Sequence, residues 1–185
     1  MPHSCAATFH PSGGFIIMRS SIIIGAVLAL AVGTPAWACT DISSKTVKLS
    51  ACVDEEWKAG QGTGAQEFVY ATADGNFGLM VITEAETFPI AKFRDAIIAN
   101  AIHGVGDKKD DVSIDSERIE NIDGKPFNVI EYQVANNGNP ILFQNFYYSQ
   151  PGFGSVQILS YSLATDSTVA AYKAGVFAST VKVGE

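Results

Sequence analysis

Two cysteines near the start of the polar part of the chain carry its clearest chemistry. Cys39 and Cys52 flank the stretch "TDISSKTVKLSA". If export removes the segment before them, an even count in an oxidising compartment predicts one disulfide. A redox pair is disfavoured, because the Cys-X-X-Cys spacing that lowers a thiol pKa is missing. A lipid anchor on Cys39 is disfavoured as well, since Ala36 and Trp37 stand where lipidation prefers leucine and a small residue.

The residues before Cys39 predict an export signal. Arg19 precedes the short apolar run "SIIIGAVLALAVG", and Ala36 and Ala38 are the small residues that a signal peptidase reads. The run is shorter than the roughly 20 residues of a membrane span. We therefore expect a signal peptide over residues 1–38, with a start at Met18 and cleavage after Ala38, and a periplasmic or secreted protein.

The net charge of the chain limits the classes of molecule that it is expected to bind. Its net charge is −7, and Arg19 leaves with the signal, so the exported chain is more acidic still. An acidic surface repels phosphate backbones and anionic lipid. Nucleic-acid and membrane-surface roles are therefore disfavoured.

Titratable groups that could catalyse or bind metal are few. His103, the single histidine after the signal, falls at the end of a predicted helix, where a cation complements the helix dipole. No Gly-X-Ser-X-Gly stretch supplies a nucleophile. Lysines interrupt the calcium-loop pattern in the acidic cluster that follows, so we predict a solvated loop, with weak divalent binding as the alternative. The cluster comprises Asp107, Asp110, Asp111, Asp115 and Glu117. We expect no catalytic residue, no bound metal and no cofactor.

An aromatic strip is the most suggestive feature of the sequence. The stretch "ILFQNFYYSQPGF" contains Phe143, Phe146, Tyr147, Tyr148 and Phe153. Such residues predict either ordinary core packing or an apolar pocket or partner-binding face. Strand alternation places aromatic residues on both faces, so this strand should be buried on both sides or expose the strip.

The elements that position these residues begin with a hairpin. Residues 67–86 form two β-branched and aromatic runs about Asp74-Gly75, a dipeptide suited to a tight turn. The pattern then switches to helical spacing, with Gly104 able to end the helix. The apolar face of this helix comprises Ile90, Phe93, Ile97 and Ala101, after Pro89 near its first turn.

Four further strands and a second helix complete the chain. Turn chemistry at Asp123-Gly124, residues 136–139 and Pro151-Gly152 predicts an antiparallel meander. The second helix is predicted from the spacing of Val169, Tyr172, Val176 and Thr180. We therefore predict one α+β domain over residues 67–185. Its central antiparallel sheet has six to seven strands in the order hairpin, helix, four-stranded meander, helix, with both amphipathic helices packed on it. The polar residues 39–66 are a preceding segment that holds the disulfide.

One family resemblance adds to this. The stretch "FVYATADGNFGLMVITE" followed by a helix resembles the opening of exported bacterial members of the PsbP-like fold superfamily, and the element order over residues 67–183 is similar. The resemblance implies a central antiparallel sheet between helices. It also implies a non-catalytic accessory that binds another protein, as relatives do in photosystem assembly or nuclear transport.

The expected function follows from the signal, the element order and the missing catalytic residues. We expect an exported, non-catalytic accessory protein of the bacterial cell envelope that binds another envelope protein. The alternative is a carrier of a small apolar ligand, which would need a cavity lined by the second faces of the central strands. An enzyme with dispersed catalytic residues is the third hypothesis.

Overall fold

The computed structural model describes residues 39–184, which form ten strands and two α-helices. The strands are β1 Cys39–Ser43, β2 Leu49–Asp54, β3 Trp57–Ala59, β4 Gln66–Thr72, β5 Phe77–Glu84, β6 Val112–Ile122, β7 Lys125–Val134, β8 Ile141–Gln150, β9 Gly154–Leu163 and β10 Lys182–Val183, and the helices are α1 Ile90–Gly104 and α2 Ser167–Thr180. The expected signal peptide and its start lie outside the described residues.

Seven strands form one antiparallel sheet in the order β3-β4-β5-β9-β8-β7-β6. The meander β6 to β9 is set by its turns. Asp123 and Gly124 both have positive φ, at 51° and 74°, which is the backbone of a type I′ hairpin turn. The predicted α+β class, with a central antiparallel sheet and two helices, is confirmed.

Residues 39–66, expected to be a polar segment, contain three strands. β1 and β2 pair with each other, and the last strand, β10, adds to the other edge of β2 in a second sheet of three strands. β3 joins the edge of the large sheet beside β4. Every second residue of β2 is buried, namely Leu49, Ala51 and Val53. This short alternation indicates a strand, but it is missed when strands are sought as longer apolar runs.

The small sheet and α2 cover one face of the large sheet, which we call the closed face. Its largest side chains are almost completely buried, and they belong to one core with α2 and the small sheet. They are Leu79, Val81, Phe127, Val129, Phe146, Val156 and Ile158.

The predicted apolar face of α2 is wrong in the first half of the helix, whereas Val176 and Thr180 in the second half are half-buried. Tyr172 is 67% exposed and Val169 is 47% exposed, whereas Ala170, Ala174 and Phe177 are buried. The small alanine side chains contact the closed face, and their size lets the helix lie close to the strands. The spacing of Val169 and Tyr172 therefore predicted the exposed side of the first half of this helix.

A partly exposed hydrogen-bond cluster joins the two sheets on the closed side. The Glu67 carboxylate of β4 accepts hydrogen bonds from the Ser44 hydroxyl at 2.6 Å, the Lys45 backbone N–H at 2.5 Å and the Thr83 hydroxyl at 2.6 Å. Burial alone would raise the pKa of Glu67, but these hydrogen bonds outweigh it and lower the pKa. The ionised carboxylate therefore holds the turn after β1 to the large sheet.

The opposite face of the large sheet, the half-open face, carries α1. The predicted side of α1 is confirmed: Ile97 is buried, and Ile90, Phe93 and Ala101 pack with it against β7 and β8. On the outer side, Arg94 forms a two-point ion pair with Glu117 of β6, with Nε to Oε2 at 2.9 Å and Nη2 to Oε1 at 2.6 Å. Both contacts hold α1 toward the β6 edge.

Within residues 39–184, no helix is both long and apolar enough to cross a membrane.

Candidate functional site: a cleft beside helix α1

The position of α1 leaves part of the half-open face uncovered. Strands β7 and β8 lie under the helix, whereas the β5 and β9 side chains beside it are only half-buried. The space between α1 and these strands is a cleft of about 470 Å³. This volume falls within the roughly 300–1,000 Å³ of small-molecule sites.

The lining of this cleft, the wide compartment, is mostly apolar. One wall comes from the sheet and the other from one side of α1. The apolar lining residues include Met80, Ile82, Leu159, Phe143, Ala101 and Val105. The polar lining residues are neutral, and no Asp, Glu, Lys, Arg or His lines the compartment. Such a surface fits an apolar body better than a charged one.

A second space, the narrow compartment, continues the cleft along α1. It has a volume of about 270 Å³ and includes Phe88, Lys92 and Glu84 in its lining. Lys92 and Glu84 form no ion pair within the part of the chain that the structure describes. One positive and one negative side chain therefore stand at this end of the cleft.

Four residues line both compartments and form the waist between them. They are Ile82, Ile97, Asn100 and Gln157. Asn100 projects from α1 and Gln157 from β9, so the two amides approach the waist from the helix and from the sheet. A molecule that occupied both compartments would pass between these amides.

The side-chain amide of Gln157 is hydrogen-bonded to a buried amide on the neighbouring strand. Its Nε2 donates a hydrogen bond to Oδ1 of Asn145, which is completely buried on β8. Beyond Asn145 lies Tyr132, whose pKa is raised by burial, with contact to Asn145 opposing that rise. The bond to Asn145 leaves Oε1 of Gln157 without a partner among residues 39–184. The waist thus presents a hydrogen-bonding amide in an apolar cleft.

The aromatic strip divides between the two faces of the sheet. Phe146 and Tyr148 belong to the core of the closed face, with Phe153 half-buried beside them, and Tyr147 packs under α1. Phe143 is half-buried and lines the wide compartment. The structure therefore assigns one of the five residues to the cleft, and Phe146, Tyr147 and Tyr148 are core residues because helices cover both faces of β8.

The polar candidates from the sequence lie elsewhere. His103 is exposed at the end of α1, and its Nδ1 lies 3.3 Å from Oδ1 of Asp107. Among residues 39–184, the acidic cluster brings no three ligand atoms together. A Ser-X-X-Lys spacing occurs at Ser179 and Lys182, but Ser179 donates to the Val176 carbonyl and Lys182 contacts Asp123.

The two cysteines lie on neighbouring strands of the small sheet. The Cys39 and Cys52 sulfurs are at disulfide distance, with Cα atoms 5.6 Å apart, in the range of natural disulfides. Asp41 is close to both sulfurs, and together the three form a possible ligand group. A disulfide removes the thiolates that a metal would need. Such a bond is typical of an oxidising compartment.

Solved structures share this fold, although comparison of the sequence found no match. No family model matches the chain, and no curated protein matches it. The solution structure of cyanobacterial PsbP (CyanoP) from Synechocystis sp. PCC 6803 is similar, with a TM-score of 0.55 at 14% identity over 85% of this chain and 99% of that one.

A second similar structure is that of LpqN, a protein involved in cell envelope biogenesis of Mycobacterium tuberculosis. Its TM-score is 0.53 at 13% identity, covering 80% of this chain and 91% of that one. The two matches show that the chain has a PsbP-like fold, as its element order indicated. At these identities the likeness concerns the fold, and function must be argued from the site.

Proposed function

We propose that this chain is an exported, non-catalytic accessory protein of the bacterial cell envelope that binds a small apolar molecule in the cleft beside α1. The cleft itself is the observation that carries the proposal. A cavity lined by the second faces of the central strands is what the carrier hypothesis required, and Met80, Ile82 and Leu159 line it from β5 and β9. Binding of another envelope protein, the first expectation from the sequence, stays a prediction.

Several features support an envelope location. The sequence carries a predicted export signal, and the Cys39–Cys52 pair is at disulfide distance. LpqN, which shares the fold, is involved in cell envelope biogenesis. Each of these fits a periplasmic or secreted protein.

The composition of the cleft supports binding rather than catalysis. General acid–base chemistry needs a titratable group within hydrogen-bond reach of the substrate. Tyr132 is the one titratable side chain in the lining of the wide compartment, and Glu84 and Lys92 line the narrow compartment without forming an ion pair among the described residues. His103 lies at the exposed end of α1 and faces Asp107.

The proposal is tested by filling the cleft. N-phenylnaphthylamine, a largely apolar dye that fluoresces when it leaves water, should bind the purified protein. Ala101→Phe, which places a ring in the wide compartment from α1, should reduce the affinity at least about tenfold, because the dye and the ring compete for one space. The matched control is Ala99→Phe on the exposed side of the same helix, and it should leave dye binding unchanged.

A second variant separates blocking from unfolding. Met80→Phe fills the same compartment from β5. Both filled variants should keep a melting temperature within a few degrees of the original protein. Failure of the dye to bind the original protein, or equal binding by all variants, would contradict the carrier function and return protein binding to first place.

A further inference from the structure

The waist of the cleft indicates which part of a ligand it would recognise. The two compartments are lined by α1 from Lys92 to Gly104, a span of about 18 Å at the helical rise of about 1.5 Å per residue. The ligand region is therefore long and narrow. At the waist, where the two compartments meet, a ligand would pass two apolar side chains, Ile82 and Ile97, and the two amides of Asn100 and Gln157.

Resting on the proposed function, we infer that the ligand is a single-chain amphiphile whose uncharged, hydrogen-bonding group sits between Asn100 and Gln157, with its apolar chain in the wide compartment. A hydroxyl or an amide suits this place. Such a group donates to the Oε1 of Gln157 and accepts from the Asn100 amide, neither of which has a side-chain partner among the described residues.

The charges around the cleft favour a neutral group over an ionic one. No charged side chain reaches the wide compartment, so an ion there would lose its hydration without a counter-charge. At the narrow end Lys92 would attract an anion and Glu84 would repel it. The chain as a whole carries a net charge of −7, which adds to the repulsion of anions.

The polar group also explains why the floor of an apolar cleft contains amides. Gln157 is held by its bond to the buried Asn145, so its amide group is positioned before a ligand arrives. A preoriented acceptor loses little side-chain entropy on binding. The expected role of Gln157 and Asn100 is therefore to select the polar group, while the apolar walls supply most of the affinity.

The test measures displacement of N-phenylnaphthylamine by decanol and by decanoate, which share a decyl-type chain and differ in charge. Decanol should displace the dye at lower concentration than decanoate. Asn100→Leu preserves the size of the side chain and removes its hydrogen bonds. It should weaken decanol binding about three- to tenfold, the effect of one lost hydrogen bond, and should weaken binding of the largely apolar dye less than it weakens binding of decanol.

Two further measurements keep the inference separate from the proposed function. Gln157→Met should weaken the binding of decanol in the same way. Ala99→Leu, on the exposed side of α1, should leave decanol binding unchanged. A decanoate affinity equal to or above that of decanol, or an Asn100→Leu variant that binds decanol and dye as before, would overturn the neutral-group inference while leaving the carrier intact. Loss of dye binding in the original protein would overturn both.

Discussion

The two faces of the seven-stranded sheet differ in how completely they are covered. On the closed face, α2 and the small sheet bury the side chains of Leu79 and Val81 on β5 and of Val156 and Ile158 on β9. On the half-open face, α1 covers β7 and β8 and leaves Met80, Ile82 and Leu159 half-buried. Folding stability should therefore come mainly from the closed face, and binding should be confined to the half-open one.

The largest expected effect compares two neighbours on one strand. Ile158 is fully buried on the closed face, and Leu159 is half-buried in the cleft wall. Ile158→Ala should lower the free energy of unfolding by about 2–5 kcal/mol, the usual cost of a cavity in a core. Leu159→Ala should cost about 1 kcal/mol, because less of its area is removed from water. Urea unfolding checks both, and equal costs would contradict the distinction between the faces.

The disulfide is expected to have the next largest effect. Replacing both Cys39 and Cys52 with serine should lower the free energy of unfolding by about 3 kcal/mol, because the closed loop no longer restricts the unfolded chain. The reduced original protein should match the double variant in urea. Dye binding in the cleft should persist, since the small sheet covers the other face. A loss of dye affinity in the folded variant would show that the cleft depends on the small sheet, which covers the opposite face.

A pH effect should arise from Glu67, which joins the two sheets. Its pKa is lowered in the folded protein, so its contribution is present above the unfolded pKa of about 4.3 and is lost as the pH falls through the folded value. Glu67→Gln should therefore cost about 1–2 kcal/mol at pH 7 and progressively less in acid below about pH 4. The exposed Glu86 offers the control substitution Glu86→Gln. A cost that stays constant with pH would exclude the ionised carboxylate as the cause.

The smallest effect is expected on the outer side of α1. Glu117→Gln breaks the ion pair with Arg94, which lies at the surface, and should cost about 0.2–1 kcal/mol. High salt should reduce the difference from the original protein. The measurement is thermal unfolding at low and high ionic strength. A loss of stability that is larger than this range and independent of salt would contradict the description of Arg94 and Glu117 as a surface ion pair.

Much of the fold was predictable because its signals are local. The Asp123-Gly124 turn requires positive φ, which the dipeptide adopts readily, and the spacing of Ile97 and Ala101 placed the inner side of α1 correctly. The strands before residue 66 escaped prediction because they are short and polar, and the small sheet depends on pairing with the distant β10.

From the sequence, the cleft was predictable only as part of the alternative hypothesis of a ligand carrier. The sequence indicated that β8 would either be buried on both sides or expose its aromatic strip, and the burial of Phe146 and Tyr147 supports the first of these alternatives. Whether a cavity exists depends on how far α1 extends across the sheet, and that follows from packing between elements far apart in sequence. The bond between Asn145 and Gln157 likewise joins two strands, so no local pattern reports it.

Ligand binding should be confined to the half-open face. An NMR titration of the isotopically labelled protein with N-phenylnaphthylamine tests it most directly, by the residues whose amide signals move. We expect shifts on α1 around Asn100 and on the facing residues of β5 and β9, with α2 unaffected. Shifts concentrated on α2 or the small sheet, or no shifts at saturating dye, would contradict it.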